Sequence, residues 1–198
     1  MFVSFEGLDG SGKSTQAERL RDALAAEGRE VVLVREPGGT AVGERVRELV
    51  LNGPEMTPWA EAALFAAARA ELVATVIRPA LERGADVICD RYLDSSLAYQ
   101  GIARDLGLDR VLELNLHAVR GVLPDRTFLL LVDPAESARR VGSEGDRIER
   151  EDDAFRERVD AAYRQLAEVF PERIQTIDGT RPPREIAEEV LDELRQRS

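Results

Sequence analysis

Five short apolar runs punctuate the chain, at Phe2–Phe5, Val31–Val34, Val87–Cys89, Phe128–Val132 and Ile174–Ile177. They are too short for helices and lack strict alternation, which predicts strands buried on both faces. The stretches between them place apolar residues three and four positions apart. Ala17, Leu20 and Leu24 mark one such face, Leu64, Ala68, Leu72 and Val76 a second, and Ile186, Val190 and Leu194 a third. That period predicts amphipathic helices, with Gly28 and Gly84 as C-terminal caps. Strands alternating with helices require right-handed crossovers, so the expected class is α/β with helices on both faces of a five-stranded parallel sheet. Ligands bind beyond the carboxyl ends of such strands. This turns attention to the segments 6–12, 35–40, 90–96, 133 and 178–180.

Composition narrows the classes. With 198 residues and 43% hydrophobic content, one domain spanning 1–198 is expected. No apolar run approaches the ~20 residues of a membrane span, and the start of the chain lacks the pattern of a signal peptide. Cys89 is the only cysteine, which suits a reducing compartment and a cytoplasmic location. A net charge of −11 argues against a nucleic-acid binder. It leaves room for a small anionic ligand at a local cluster of arginines.

Gly7-Leu8-Asp9-Gly10-Ser11-Gly12-Lys13-Ser14 fits the pattern G-x-x-x-x-G-K-[ST]. Glycines let backbone N–H groups turn toward phosphate oxygens, and the helix that follows points its positive end at them. Lys13 would reach the β- and γ-phosphates of ATP, and the Ser14 hydroxyl would ligate Mg²⁺. A chance match in a chain this long is on the order of one in a hundred. Here the motif also follows a predicted strand and opens a predicted helix, so the expectation is a P-loop NTPase fold binding a nucleoside triphosphate at residues 7–15, Thr15 included. A guanine-reading Asn-Lys-x-Asp segment does not occur in the sequence. That leaves a small phosphotransferase, with a nucleotide-driven binding switch as the alternative from another class.

The acceptor side must then lie in the other loops. Pro37 followed by paired glycines forces a tight turn that sets Glu36 at a strand end. Phe65 and Arg69, four apart, share a helix face and could stack on a base and bond its edge. Asp90 sits where a carboxylate faces the metal and its waters, and Arg91 offers a bidentate fork for a phosphate. His117, Cys89 and Trp59 read as structural, with Trp59 starting and packing a helix. Tyr163 fits either a core face or an approach to the acceptor.

The pattern as a whole resembles the thymidylate kinase family. The likeness runs through 5–16, Arg-Glu-Pro-Gly-Gly-Thr at 35–40, 58–69, Asp-Arg-Tyr and Ala-Tyr-Gln-Gly within 90–101, Leu-Pro-Asp at 123–125 and Asp-Arg-Ile-Glu at 146–149. The resemblance implies dTMP as acceptor and ATP as donor. It implies that Phe65 stacks on thymine, that Arg69 reads its carbonyl edge and that Arg91 grips the acceptor phosphate. Ser96 and Gln100 would lie near the base, Tyr99 against the sugar, and Asp9 near the 3′-hydroxyl and the transfer site. Arg47 is a further candidate for the acceptor phosphate. A homodimer is implied too, with the helix from residue 58 as the candidate face.

The resemblance also implies a mobile lid, at about 139–153 with its polar centre at 142–153. Gly10 stands where other members place a P-loop arginine, so catalysis should depend on lid arginines. Arg140 falls on one expected position, whereas Ala138 and Gly142 fall where further arginines are expected. The catalytic set expected is therefore Lys13, Asp9, Arg91 and Arg140, with Ser14 and Asp90 at the metal.

Overall fold

The computed structural model describes residues 1–142 and 145–196. Among them, β1 (Phe2–Glu6), β2 (Val31–Arg35), β3 (Asp86–Asp90), β4 (Arg126–Leu131) and β5 (Ile174–Asp178) form one sheet in the order β2-β3-β1-β4-β5. Every pairing is parallel. Helices cover both faces, as parallel strands require. On one face α1 (Lys13–Ala26) and α9 (Pro183–Arg195) bury Ala17, Leu20, Leu24, Ile186 and Val190 against Val3, Phe5 and Phe128. On the other, Phe2, Val87, Cys89 and Leu129 meet Leu72, Leu97, Val111 and Tyr163.

The five strands stand where the apolar runs predict them, but the two edge strands differ from expectation. β2 is only partly buried along Val31–Leu33, and in β5 Thr176 and Asp178 are exposed. An edge strand has a neighbour on one side only, so helices cover it less completely than the central β1 and β3.

The remaining helices are α2 (Ala41–Asn52), α3 (Pro58–Leu72), α4 (Arg78–Glu82), α5 (Leu93–Ser96), α6 (Leu108–Val119), α7 (Pro134–Val141) and α8 (Asp153–Val169). Side chains cap several of them: Thr40 accepts from the Gly43 N–H at 2.9 Å, and Asp152 from the Phe155 N–H at 2.7 Å. The single long helix expected from residue 58 is interrupted by a π-helical turn at Val73–Ile77. Pro79 has no N–H to close the ladder one turn back, which accounts for the shift. A second π-helical stretch, Leu97–Ala103, carries Tyr99 and Gln100. Gly28 and Gly84 lie just past α1 and α4 with positive φ, the caps expected of them.

The sheet brings the carboxyl ends of β1, β2 and β3 side by side, with Phe5 and Arg35 both registered against Asp90. The loop after β1 leaves the sheet through Gly7, whose φ is +136°. A Cβ there would lie 2.4 Å from the Leu130 carbonyl oxygen of β4, so no side chain fits without moving the sheet. Gly7→Ala is expected to cost about 2 kcal/mol or more, lowering Tm by about 4–8 °C for a chain of this size. A melting curve superimposable on that of the parent chain would contradict this.

Candidate active site

The loop from Gly7 to Gly12 turns back over the amino end of α1, with Gly7, Gly10 and Gly12 all at positive φ. Lys13 is buried; its Nζ donates to the Leu8 carbonyl at 2.7 Å and lies 3.9 Å from Asp9 Oδ1. The Ser14 hydroxyl donates to Asp90 Oδ2 at 2.5 Å. Asp9, Gly10, Gly12, Lys13, Ser14 and Thr15 open on a cleft that Arg35, Arg47, Arg91 and Arg140 also line. Five cations and four carboxylates (Asp9, Glu36, Asp90 and Glu149) face this opening, a local balance far less negative than that of the chain as a whole at −11, which leaves room for an anionic ligand. Gly7, Leu8 and Ser11 are not on that wall: all three are buried behind it and shape the loop.

Arg91 follows β3 with φ 67°, a conformation that only a few per cent of non-glycine residues adopt. That turn sends its guanidinium across the cleft. Nη2 pairs with Asp9, Nη1 donates to the Ser95 and Tyr163 hydroxyls at 3.1 Å each, and the group lies 5.6 Å from the Tyr99 ring centre. Asp9 thus faces two cations at once. Burial pushes its carboxyl up, but the charges of Arg91 and Lys13 and the hydrogen bonds from Arg91 and Tyr99 hold it at about 2. For Lys13 the balance goes the other way. Burial and then the Arg91 charge pull its ammonium down to about 8, against Asp9, Asp90 and Glu6.

Beside this cleft, and sharing Asp9, Glu36, Arg47, Arg91 and Glu149 with it, is a second cavity. Phe65, Ser96, Tyr99 and Gln100 line it, as expected of an acceptor pocket. Glu36 Oε2 accepts from Arg69 Nε at 2.7 Å, while its buried Oε1 has no partner among the described residues. Burial raises Glu36 to about 7 despite Arg69. Arg69, expected at the base edge, stands behind the pocket wall, 1% exposed. Its guanidinium donates to Glu36 through Nε, to Ser96 and Asn115 through Nη1 and to the Tyr92 carbonyl through Nη2, which also pairs with the Glu36 carboxylate. To reach a ligand it would have to give one of these up. Arg47 donates to the Pro37 carbonyl at 3.0 Å and borders both openings.

Comparison with known proteins agrees with this geometry. The family model described as Thymidylate kinase matches residues 5–190. The chain belongs to the thymidylate kinase family. It is 52% identical to the thymidylate kinase of Bifidobacterium longum over 185 residues, covering 91% of this chain and 90% of that one. With the thymidylate kinase of an Exiguobacterium species it shares 48% over 196 residues, covering 97% and 92%. The crystal structure of thymidylate kinase from Ehrlichia chaffeensis superposes with a TM-score of 0.81 at 34% identity, covering 98% of each chain.

The thymidylate kinase lid expected at 139–153 is only partly within view, since Ser143 and Glu144 lie outside the described residues. Arg140, at the end of α7, donates through Nη1 to the Gly10 carbonyl at 3.2 Å and through Nε to Glu136 at 2.8 Å. A Cβ on Gly10 would come within 2.9 Å of the Arg140 Cβ. Glycine in the loop and arginine on the lid therefore occupy one place between them. Arg139 points elsewhere, three-quarters exposed and paired with Glu136. From Gly145 onward the segment expected to form the lid packs against α2 and α3: Arg147 is buried, its Nε donating to the Val50 carbonyl at 2.9 Å and its Nη2 to Glu61 at 2.6 Å.

One site residue was given no role by sequence reasoning. Glu6, fully buried at the end of β1, accepts from the Tyr92 and Ser95 N–H groups and from the Ser95 and Tyr163 hydroxyls. Burial, and then the Asp94 charge, push it up, against Arg91 and these bonds. Tyr163 closes the same network from α8, which resolves its two readings: the ring is in the core and the hydroxyl touches Arg91. A charged residue ending an apolar strand was the available signal for Glu6. Trp59 starts α3 as expected but stays 44% exposed, so it does not pack there. His117 is exposed on α6, bonded to the Glu113 carbonyl, and Cys89 is buried in β3.

A triphosphate polyanion binds the ammonium form of Lys13 better than the amine, so its affinity falls as pH rises through about 8. Between pH 7 and pH 9 the Kd for Mg–ATP is expected to rise about tenfold. A pH-independent Kd, measured by calorimetry across that range, would refute the Lys13 assignment. Arg140→Ala is expected to cut kcat by roughly 10²-fold or more. A near-normal kcat in a steady-state assay would remove Arg140 from the mechanism.

Proposed function

We propose that the chain transfers the γ-phosphoryl group of ATP directly to the 5′-phosphate of dTMP, giving ADP and dTDP for deoxythymidine nucleotide biosynthesis. Kinase activity follows from membership of the thymidylate kinase family. The observation that carries the rest is the pairing of two openings across Asp9 and Arg91. One is walled by the glycine loop and Lys13, the other by Phe65, Ser96, Tyr99 and Gln100.

The triphosphate lies along residues 7–15 with Lys13 at its β- and γ-phosphates. Ser14 and Asp90 already touch each other at the mouth of the cleft, and they would hold Mg²⁺, which supplies neutralisation of phosphate charge when bound. No cluster of three or more His, Cys, Asp or Glu side chains suited to a metal exists among the described residues. Two protein oxygens with phosphate and water ligands suit a small hard cation of this kind. Arg91, held by Ser95, Tyr163 and Asp9, orients the acceptor phosphate. An oxygen of that phosphate attacks the γ-phosphorus, the bond to the β-γ bridging oxygen breaks, and the leaving charge stays on ADP. The acceptor is already anionic, so no general base is needed. Arg140 stabilises the charge spread over the migrating group, and the lid keeps water from it.

Phe65 stacks on the thymine. The unpaired Glu36 Oε1 takes one of the donors that dTMP offers, its 3′-hydroxyl or ring N–H. Tyr99 packs where a ribose 2′-hydroxyl would stand. We also read the chain as a cytoplasmic homodimer without a nucleic-acid or membrane partner. The exposed Val42, Leu49 and Trp59 on α2 and α3 support that face, and no described helix is long and apolar enough to cross a membrane.

The test is a panel of dTMP, dUMP, AMP, CMP and GMP, read by ADP release. dTMP is expected to be preferred, with dUMP slower by about 10–200-fold for the loss of one methyl group. Without an acceptor, turnover should be negligible. Clear preference for AMP or CMP would overturn the substrate, and acceptor-independent turnover would favour the nucleotide-driven switch.

A further inference from the structure

Glu61, in the first turn of α3, is 1% exposed and is the meeting point of three distant segments. Its Oε1 accepts from Gln100 Nε2 at 2.9 Å and Arg104 Nε at 2.7 Å. Its Oε2 accepts from Arg104 Nη2 at 3.1 Å and Arg147 Nη2 at 2.6 Å. Burial pushes this carboxyl up, but the hydrogen bonds from Arg104, Arg147 and Gln100 outweigh it and keep the group ionised. An ionised carboxylate can only accept. The amide of Gln100 must therefore turn its NH₂ toward Glu61, which leaves its carbonyl oxygen as the other face of the group. Gln100 lines the acceptor cavity with Phe65.

We propose that Glu61 is a positioning residue for base choice: by fixing the sense of the Gln100 amide, it presents a hydrogen-bond acceptor to the ring that stacks on Phe65. An acceptor there matches the ring N–H at position 3 of thymine or uracil and opposes the lone pair that cytosine carries at the same atom. The proposal rests on the reading of this cavity as the dTMP base site. Because Arg147 of the lid shares the carboxylate, base reading and lid docking are anchored on one side chain. If Glu61 lost its charge, the amide could rotate by half a turn and offer NH₂ to the base, which cytosine accepts.

The test compares dTMP with dCMP in Glu61→Gln. The ratio of their kcat/KM values is expected to fall by about tenfold or more, mainly through KM. In a Gln100→Leu background the same change should leave the ratio unmoved, since there is no amide left to orient. An equal loss on both substrates, with the ratio preserved, would overturn the proposal and leave Glu61 a merely structural anchor. Should Glu61→Gln fail to fold, the unmodified protein decides. Its Gln100 side-chain NH₂, assigned in nitrogen-15 spectra by its loss in Gln100→Leu, should exchange with solvent far more slowly than an exposed glutamine. Exchange at the exposed rate would overturn the proposal. A protected amide in a protein inactive on dTMP would instead overturn the reading of the cavity, and the base-choice proposal with it.

Discussion

Lys13 and Arg91 come from opposite ends of the motif map, yet the parallel sheet delivers both to one carboxylate, Asp9. Two cations close together in a partly desolvated cleft repel each other, and the depressed Lys13 ammonium records that repulsion together with its burial. Asp9 is the counter-ion that makes the arrangement tolerable without a ligand. In the kinase reaction two sets of phosphates would take over that duty, one at each cation. Under the proposed reaction, the same pairing would set the positions of donor and acceptor relative to each other, the geometry on which phosphoryl transfer chiefly depends.

Around that centre the fold supplies stiffness where precision matters. Arg91 keeps an unfavourable backbone conformation because Ser95, Tyr163 and Asp9 all hold its side chain, and Glu6 in turn holds Ser95 and Tyr163. Glu6 is buried where only hydrogen bonding from four donors makes a carboxylate acceptable. Tyr99 and Gln100 ride on a π-helical stretch, a backbone form frequent at functional sites. On the far side, Glu61 gathers the lid, the helix after the pocket and the pocket wall into one buried network whose members are all paired.

Much of this was legible in the sequence, for reasons that differ by residue. The five strands announce themselves because buried parallel strands are apolar on both sides. The limit of that rule shows at β2 and β5, whose edges are wetter than their apolar runs suggest. The phosphate loop was readable because glycine spacing and a Lys-Ser pair are dictated by backbone geometry, whereas Arg140 was singled out only through the family resemblance, and the structure sets it against the Gly10 carbonyl. Arg69 was legible only in part, since four-residue spacing puts it on a face with Phe65 but cannot say that Glu36, Asn115 and Ser96 hold its donors. Glu61 was out of reach for the same reason: its partners lie about 40 to 90 residues away in the chain, and an acidic residue in a first helical turn ordinarily faces water.

The central claim is that Lys13 and Arg91 exchange their shared carboxylate for two different phosphates. The most direct measurement is a crystal structure with Mg²⁺, a non-hydrolysable ATP analogue and dTMP bound together. The expected result has Lys13 Nζ on the β- and γ-phosphates and Arg91 on the dTMP phosphate, with the acceptor oxygen in line with the γ-phosphorus. A triphosphate seated away from residues 7–15, or a dTMP phosphate out of reach of Arg91, would contradict it.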